Sequence, residues 1–359
     1  MPRVRLSDSL DCVRDGALSV PTIQNSLLIR TVRGEAIERP PVWAMRQAGR
    51  WDPEFNRLRG GLSFYEFSEN VELAARASLL PRRFGVDAII LFYDITTLTV
   101  AMGLPFSLQA SQGPVPSAPM RTMADVERLK ANPSPELFGH IRALLRRVRD
   151  ELQGALPVIV FAGAPFTLAT YCIGTGKDMD ATSRFAAERP EVWQGLLERL
   201  EQATIHFLNV LIADGADLYQ LFDSWAGRLP VHLYDEWAHR YHRCIFAAVQ
   251  GAPGVLFVKE CPYLSQMTSS GAAVVSLGIS HDLAAASSAY PAIVFQGNVD
   301  EQILAHASPE QVAQATASCV RQGGGRRHIV NLSHGINRST PVENFEAYVN
   351  TVRSATASS

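Results

Sequence analysis

Eight short runs of mostly apolar and β-branched residues recur along the chain, each four to seven residues long. Apolar side chains follow one another in these runs with little alternation, which is typical of strands buried on both faces of a parallel sheet. The runs cover residues 42–45, 86–92, 157–161, 217–222, 255–258, 273–277, 292–295 and 328–332. We therefore expect a sheet whose two faces are both covered by other parts of the chain.

Stretches in which apolar residues have helical spacing separate many of these runs. They cover residues 71–84, 135–152, 190–213 and 309–321. Ser134 and Ser308 are candidate N-caps because a proline directly follows each of them, and Asp235 is predicted to open the helix that holds Trp237. Strands and helices are thus predicted to alternate along the chain.

Eight strands in alternation with helices predict the α/β class and a parallel sheet closed as a (β/α)8 TIM barrel. The rival architecture is a doubly wound open sheet, which would need clearer breaks at its edges. A length of 359 residues suggests two domains at about 150 residues each, but α/β barrels exceed that size as single domains. We predict a single-domain barrel.

The predicted barrel covers residues 21–353, between a loosely ordered extension at 1–20 and a tail at 354–359. Residues 111–119, Ser-Gln-Gly-Pro-Val-Pro-Ser-Ala-Pro, are predicted to form a surface loop because three prolines interrupt them. Residues 323–325 are all glycine and predict a flexible turn before the last strand.

The charge balance excludes several classes of partner. With 33 Lys and Arg against 35 Asp and Glu, the formal net charge of -2 gives no bulk field for nucleic acid or an anionic membrane. Five cysteines without a Cys-x-x-Cys pair argue against disulfides and a thiolate zinc site, and favour a reducing cytoplasm. The N-terminus mixes both charges without a sustained apolar stretch, and no run approaches the ~20 apolar residues of a membrane span. We expect a cytoplasmic protein.

Polar side chains follow several of the predicted strands, at the end of a barrel where active sites are built. Arg46 and Arg50 follow the first run, and we expect the permissive Gly49 between them to let both guanidinium groups face one cleft. The other strands are followed by Asp94, by Thr170 and Tyr171, by Ser224 and by His334. Taken singly, such residues are more often surface groups or satisfied core groups.

Asp94 is the most informative of these residues because a carboxylate directly after an apolar strand is costly to bury without a partner. Arg46 and Arg50 are the expected partners. A purely structural ion pair is the alternative to a functional one. Together the residues describe a pocket for a small polyanion that also carries N–H donors.

Five motifs, in order along the chain, resemble those of the uroporphyrinogen decarboxylase family. They are Arg-Pro-Pro-Val-Trp-Ala-Met-Arg-Gln-Ala-Gly-Arg at 39–50, Phe-Ala-Gly-Ala-Pro-Phe-Thr-Leu at 161–168, Leu-Phe-Asp-Ser-Trp-Ala-Gly at 221–227, Phe-Gln-Gly-Asn-Val-Asp at 295–300 and Asn-Leu-Ser-His-Gly-Ile at 331–336. The resemblance extends from about Asn25 to Arg353, nearly the whole chain.

The resemblance implies a homodimeric (β/α)8 barrel that decarboxylates the four acetate side chains of uroporphyrinogen III to give coproporphyrinogen III. It implies no metal and no organic cofactor. Matching the family's motifs position by position gives the implied substrate-binding residues Arg46, Gln47, Ala48, Gly49, Arg50, Asp94, Tyr171, Ser224 and His334. The implied catalytic residues are Asp94, which would stabilise positive charge on the pyrroles, and Arg46; the identity of the proton donor stays open.

The chain departs from the family pattern outside these positions. Leu80 stands where the family usually has glutamine, Gly278 and Ile279 replace an expected Asp-Trp, Ser333 replaces a glycine, and Tyr93 is larger than expected. These departures bear on substrate fit and on dimer contacts.

Two other functions compete with this interpretation. Zinc-dependent corrinoid methyltransferases share the fold and bind zinc through His-x-Cys and a distant cysteine, and His242-Arg-Cys244 has that spacing. It falls in a predicted helix, however, and not at a strand end. A tetrapyrrole-binding protein without turnover would keep the two arginines but would not need Asp94 or His334.

Overall fold

Seven parallel strands form one curled sheet in the structure, a computed structural model that describes residues 23–109, 113–325 and 327–355. The predicted extension at 1–20 and residues 356–359 of the predicted tail lie outside the described residues. The strands are β1 Ile89–Ile90, β4 Val158–Gly163, β5 Leu218–Asp223, β6 Gly254–Val258, β7 Val274–Ser276, β8 Val294–Gln296 and β9 His328–Ile329. Their order in the sheet follows their order in the chain. A doubly wound sheet would reverse direction at a switch point, so that alternative is wrong.

The first predicted strand, residues 42–45, forms only an isolated parallel bridge between Val42 and Val330. Its backbone reaches both edges of the sheet, because Val330 N donates to Pro41 O over 2.9 Å and Asp87 N donates to Val42 O over 2.7 Å. Side chains replace the rest of the ladder: Val42 N donates to an Asp87 carboxylate oxygen and Met45 N to the amide oxygen of Asn331. The sheet therefore has seven strands and a bridging segment in place of the eighth.

Seventeen α-helices surround this sheet within the described ranges. They are α1 Leu27–Val32, α2 Pro53–Arg59, α3 Phe64–Glu69, α4 Val71–Leu79, α5 Thr97–Ala101, α6 Met123–Arg128, α7 Gly139–Leu152, α8 Pro165–Cys172, α9 Met179–Glu188, α10 Pro190–Ala213, α11 Val231–Tyr234, α12 Arg240–Ala248, α13 Leu264–Thr268, α14 Leu283–Ala289, α15 Glu301–His306, α16 Pro309–Gln322 and α17 Val342–Arg353. Among these helices and the part of the chain described with them, none combines the length and apolar character needed to cross a membrane.

The predicted helices are confirmed, with two details at their starts corrected. Ser308 caps α16 by accepting from Gln311 N. Ser134 stands at the N-cap position of the 3₁₀ turn Pro135–Phe138, but its hydroxyl donates to Glu136 and makes no capping bond. Asp235 does not open a helix: α11 begins directly after Pro230, and Asp235 starts a π-helical turn between α11 and α12. Pro230 is the N-cap of α11, and the residue before a proline is biased toward extended backbone, as Leu229 is, so the helix starts after this proline.

The predicted loop at 111–119 is also corrected, because residues Gly113–Pro116 form strand β3. This strand pairs antiparallel with β2, Phe106–Gln109, in a separate two-stranded hairpin. Prolines are tolerated there because each strand of a two-stranded sheet has a free edge that needs no N–H donor. The glycines at 323–325 form a turn, with two of them at positive φ.

A layer of buried polar side chains lies inside the curled sheet. Gln296 links three elements: it accepts from the Trp43 indole and donates to Gln220 and Ser276, over 3.1 to 3.2 Å. Gln220 in turn donates to the sulfur of Met45. The network fixes the residue that precedes Arg46 against three strands, because every member is buried and bonded.

Candidate active site

Arg46 begins the turn after the bridging segment and adopts a left-handed backbone conformation, with φ of 62°. Hydrogen bonds from Met45 N to Asn331 and from Ile336 N to Met45 O tie this turn to the loop after β9. The Arg46 side chain lies directly over Gly335, where a Cβ would come within 2.3 Å of Arg46 Cδ. Gly335 is therefore required for Arg46 to keep its place.

The predicted role of Gly49 in this turn is wrong, because Arg46 and not Gly49 takes the positive φ. Gly49 is needed for space instead: a Cβ there would lie 3.0 Å from Arg46 O. Gln47 is buried, and its amide accepts from Ala44 N and donates to Ala88 O. With Ala48 also buried, the two arginines are the members of this segment whose side chains are exposed.

Arg46 has the surroundings expected of a side chain that lines a concave site. Its surface is open to solvent, yet protein encloses it closely enough for burial to lower the pKa of the guanidinium. Arg50 lies near enough to lower that pKa further, while Tyr171 and Glu301 act in the opposite direction. Within the described residues, neither arginine has an acidic partner within 4.0 Å. Both remain available for carboxylates of a ligand.

Asp94 follows β1 and does not form the predicted ion pair with Arg46 or Arg50. Its Oδ1 accepts hydrogen bonds from the backbone N and from the hydroxyl of Thr96, the former over 2.8 Å. No hydrogen bond to Oδ2 occurs in the part of the chain that the structure describes. Burial raises the pKa of Asp94, and the bonds from Thr96 only partly offset that rise. The residue is a half-exposed carboxylate with one oxygen left for a donor.

Tyr171 lies on α8 and Ser224 directly follows β5. Tyr171 is buried, and its ring lies 6.5 Å from that of Trp225. The charge of Asp94 raises the pKa of the Tyr171 phenol, and the charge of Arg46 lowers it. Thr170, beside Tyr171, is fully buried and donates to Thr167 O, which removes it from the candidate site.

The fully buried Asp223 fixes the turn that carries Ser224. That carboxylate accepts from the Thr167 hydroxyl over 2.6 Å and contacts His242 Nε2 over 2.9 Å. Thr167 Oγ1 then accepts from Trp225 N, so the network fixes both residues that follow Asp223. His242 is consequently part of a buried structural pair, whereas Cys244 is exposed.

His334 follows β9 and lies half-buried with its ring 6.1 Å from that of Phe257. Burial lowers the pKa of His334 to about 4, and the charges of Arg46 and Lys259 act in the same direction. The imidazole is therefore neutral near pH 7 and contributes one N–H donor and one acceptor.

This shift predicts an acid-dependent loss of stability. The unfolded chain protonates His334 near the ordinary pKa of 6.5, but the folded chain does so only near 4, as it does for the buried His328. The unfolded state binds more protons in that window, so the free energy of unfolding falls as pH drops from 6.5 toward 4. Urea unfolding at several pH values should show that the free energy of unfolding falls less steeply with decreasing pH in His334→Asn than in wild type. An unchanged pH dependence would contradict the buried environment assigned to His334. His232→Asn, a change at an exposed position, is the control.

Sequence reasoning missed three residues beside these. Thr96 binds Asp94, Lys259 follows β6 near His334, and Glu301 starts α15 near Arg46 and His334. Glu301 accepts from the Ser333 hydroxyl over 2.5 Å, so one of the sequence departures holds a carboxylate at the rim. Lys259 comes directly after β6, which was a usable signal. Glu301, at the start of α15, and the contact of Thr96 gave no such signal.

The other departures have local explanations. Leu80 begins a 3₁₀ turn and packs on the cluster of Phe55 and Phe67. The carboxylate of Glu260 fills the space that a side chain at Gly278 would need, 2.5 Å from its Cβ position, and lies 3.4 Å from Ile279 N.

Tyr93 stacks on Phe161 with ring centroids 4.0 Å apart, and its hydroxyl donates to Phe161 O and accepts from Phe161 N. We predict that Tyr93→Phe lowers the free energy of unfolding by about 1–3 kcal/mol, because both buried backbone groups lose a partner. Its kcat should stay within about twofold, since the ring stack remains. Denaturant unfolding checks the first value, and a stability equal to wild type would contradict it.

Arg46 interacts electrostatically with Arg50, Tyr171 and His334, and Tyr171 also interacts with Asp94. Ser224 directly precedes Trp225, whose ring lies 6.5 Å from that of Tyr171. The donors and acceptors of these residues suit a ligand with several carboxylates and central N–H groups. Within the described residues, no three His, Cys, Asp or Glu side chains converge as metal ligands.

Comparison with known proteins identifies the family. A family described as uroporphyrinogen decarboxylase (URO-D) matches residues 23–355. The chain is 36% identical over 334 residues to a uroporphyrinogen decarboxylase of Synechococcus sp. (strain JA-2-3B'a(2-13)), covering 91% of this chain and 96% of that protein. It is 38% identical over 338 residues to that of Dichelobacter nodosus (strain VCS1703A), covering 92% and 97%.

A solved methyltransferase from Methanosarcina mazei shares the fold, with a TM-score of 0.78 over 92% of this chain and 98% of that one. At a sequence identity of 19%, this similarity supports a shared fold and nothing more. The family match, the coverage of both relatives and the motifs assembled around Arg46 and Asp94 agree, and the chain belongs to the uroporphyrinogen decarboxylase family.

Proposed function

We propose that the protein decarboxylates uroporphyrinogen III at its four acetate side chains and gives coproporphyrinogen III in tetrapyrrole biosynthesis. The observation that supports this most strongly is Asp94, a carboxylate without a cationic partner among two unpaired arginines in the described residues. A site that bound only carboxylates would have no use for it. A substrate with pyrrole N–H groups and peripheral carboxylates uses both kinds of group.

The reaction needs a place for the electrons of the breaking carbon–carbon bond. A proton added to the ring carbon beside the acetate-bearing carbon makes the pyrrole cationic. Loss of carbon dioxide then returns an electron pair to the ring, a second proton converts the exocyclic CH₂ to a methyl group, and the first proton leaves. Because the substrate supplies its own electron sink, the chemistry requires no organic cofactor.

Asp94 stabilises the cation in this scheme. Thr96 holds Oδ1, and Oδ2 accepts from the pyrrole N–H groups, whose charge becomes more positive in the transition state. The interaction is stronger in the transition state than in the ground state, so its effect falls on kcat.

Arg46 and Arg50 bind acetate and propionate carboxylates, while Tyr171, Ser224 and the neutral His334 orient the macrocycle by hydrogen bonds. His334 is unprotonated near pH 7 and is a poor proton source there. Burial lowers the pKa of Arg46, which makes it a better acid than a solvated arginine. We assign proton delivery to Arg46 through bound water.

The same proposal includes a cytoplasmic homodimer whose catalytic domain spans residues 21–353, as the family resemblance implies. Light scattering on the purified protein tests the dimer: a mass twice that of the 39.3 kDa chain supports it, and a monomer overturns it.

Incubation of pure, metal-stripped protein with enzymatically made uroporphyrinogen III tests the activity. Chromatography of the oxidised products should show hepta- to tetracarboxylate porphyrins appearing in succession. If only the octacarboxylate porphyrin is recovered both before and after metal stripping, the proposed function is wrong. Activity that is present before stripping and lost after it would overturn the metal-free part alone.

A further inference from the structure

Thr96 occupies the N-cap position of α5, where a threonine hydroxyl normally accepts from a backbone N–H of the first helical turn. Here the hydroxyl makes no such bond, and the residue has helical backbone angles. It donates instead to Asp94 Oδ1, alongside the Thr96 backbone N at 2.8 Å. A fully buried hydroxyl is therefore diverted from the helix to the carboxylate.

Two bonds on the same oxygen fix the rotation of the Asp94 carboxyl group. With Oδ1 engaged by Thr96, Oδ2 is the oxygen that can accept from a ligand in the site. A carboxylate free to rotate would lose this orientation, and an acceptor aligned in advance avoids reorganisation when charge develops.

Tyr65 extends the arrangement from α3. Its hydroxyl is buried without a hydrogen-bond partner among the described residues, and its pKa responds to the Thr96 hydroxyl and to the charge of Asp94. The Thr96 oxygen, which donates its own proton to Asp94, has lone pairs left for the Tyr65 O–H. Within the described ranges, Tyr65 on α3 and Tyr171 on α8 are the titratable groups whose pKa responds to the Asp94 charge.

We propose that Thr96, supported by the Tyr65 hydroxyl, is a positioning residue that orients Asp94 so that Oδ2 faces the substrate's pyrrole N–H groups. The proposal rests on the decarboxylase activity proposed above and deepens it. A simpler interpretation is that Asp94 and Thr96 only stabilise the start of α5. In that case Thr96 variants would lose stability, and the acid limb of their kcat/KM profile would not move.

The test compares Thr96→Val, which keeps the side-chain shape and removes the hydroxyl, with wild type. We expect kcat to fall about tenfold, the lower range for loss of a hydrogen bond to a charged group, with KM within about twofold. The acid limb of the kcat/KM profile should move to higher pH, because the Thr96 hydroxyl lowers the pKa of Asp94. Thr96→Ser keeps a hydroxyl, so its kcat and the acid limb of its kcat/KM profile should match wild type. Tyr65→Phe should lower kcat about threefold.

Thr99→Val is the matched control, since that buried hydroxyl donates to Thr96 O on the same helix and does not touch Asp94. It should keep kcat and the pH profile. If Thr96→Val does not fold, Thr96→Ala against Thr96→Ser makes the same comparison. If the wild type is active and the Thr96 variants without a hydroxyl keep both kcat and the acid limb, this inference alone is wrong. A wild type without decarboxylase activity overturns the proposed function first.

Discussion

An Asp94→Asn variant is expected to lose about two to three orders of magnitude in kcat, the range found when one preorganised charge-stabilising group is removed. Asparagine keeps the size of the side chain and can still accept from Thr96 N. It cannot supply a negative charge to the cationic pyrrole. KM should change by less than about threefold because Asp94 contributes least before that charge develops.

The same variant should be at least as stable as wild type. Burial raises the pKa of Asp94, so its ionised form is disfavoured in the fold, and stability from this group is present at low pH and lost as pH rises. A neutral amide removes that cost near pH 7. Initial rates and thermal unfolding measure the two effects.

Asp217→Asn is the matched control for Asp94→Asn. Burial also raises the pKa of Asp217, but this residue precedes β5, at the opposite end of the strands, where it accepts from Val158 N. Its kcat should stay within about twofold, as expected for a residue at the stability face of the sheet. Equal losses in both variants would mean that Asp94 acts through the fold and not on the substrate.

Replacement of Gly335 by alanine is expected to lower kcat/KM by about 100-fold, the scale of a misplacement of about 1 Å in a catalytic group. The new Cβ would come within 2.3 Å of Arg46 Cδ and 2.6 Å of Cγ, so the side chain must leave its position. Both kcat and KM should change, because Arg46 is assigned to carboxylate binding and to proton delivery.

Gly61→Ala is the control for this substitution, since a Cβ at that position meets nothing within 4 Å and its φ is not in the left-handed region. Steady-state kinetics of both variants check the prediction. Wild-type kinetics in Gly335→Ala would show that the placement of Arg46 against Gly335 is not needed for activity.

The helices could be predicted closely from the sequence because their signals are local. The span 190–213 matches α10 at both ends, and Ser308 with Pro309 marks the start of α16. A strand was predicted at 42–45, but its reduction to a single bridge could not be foreseen, because the side chains of Asp87 and Asn331, distant in sequence, replace its ladder. Strand β3 was missed because prolines favour loops in general and are tolerated only at a free edge.

The site was predictable to the extent that it depends on the ends of strands. Arg46 acts on the pKa of His334, and Arg46 and Asp94 both act on the pKa of Tyr171, because parallel strands end at one rim. Their partners were not predictable: Asp94 binds Thr96 two residues away instead of an arginine, and Arg46 supplies the strained turn assigned to Gly49. Such choices depend on side-chain positions in three dimensions and leave no periodic signal.

The most direct test measures carbon dioxide released per uroporphyrinogen III consumed by the metal-stripped protein and by its Asp94→Asn variant. With the wild type we expect one carbon dioxide for each acetate side chain and coproporphyrinogen III as the final product. With the variant we expect a rate lower by about two to three orders of magnitude. Substrate that binds without releasing carbon dioxide, or an Asp94→Asn variant that matches the wild-type rate, would contradict these expectations.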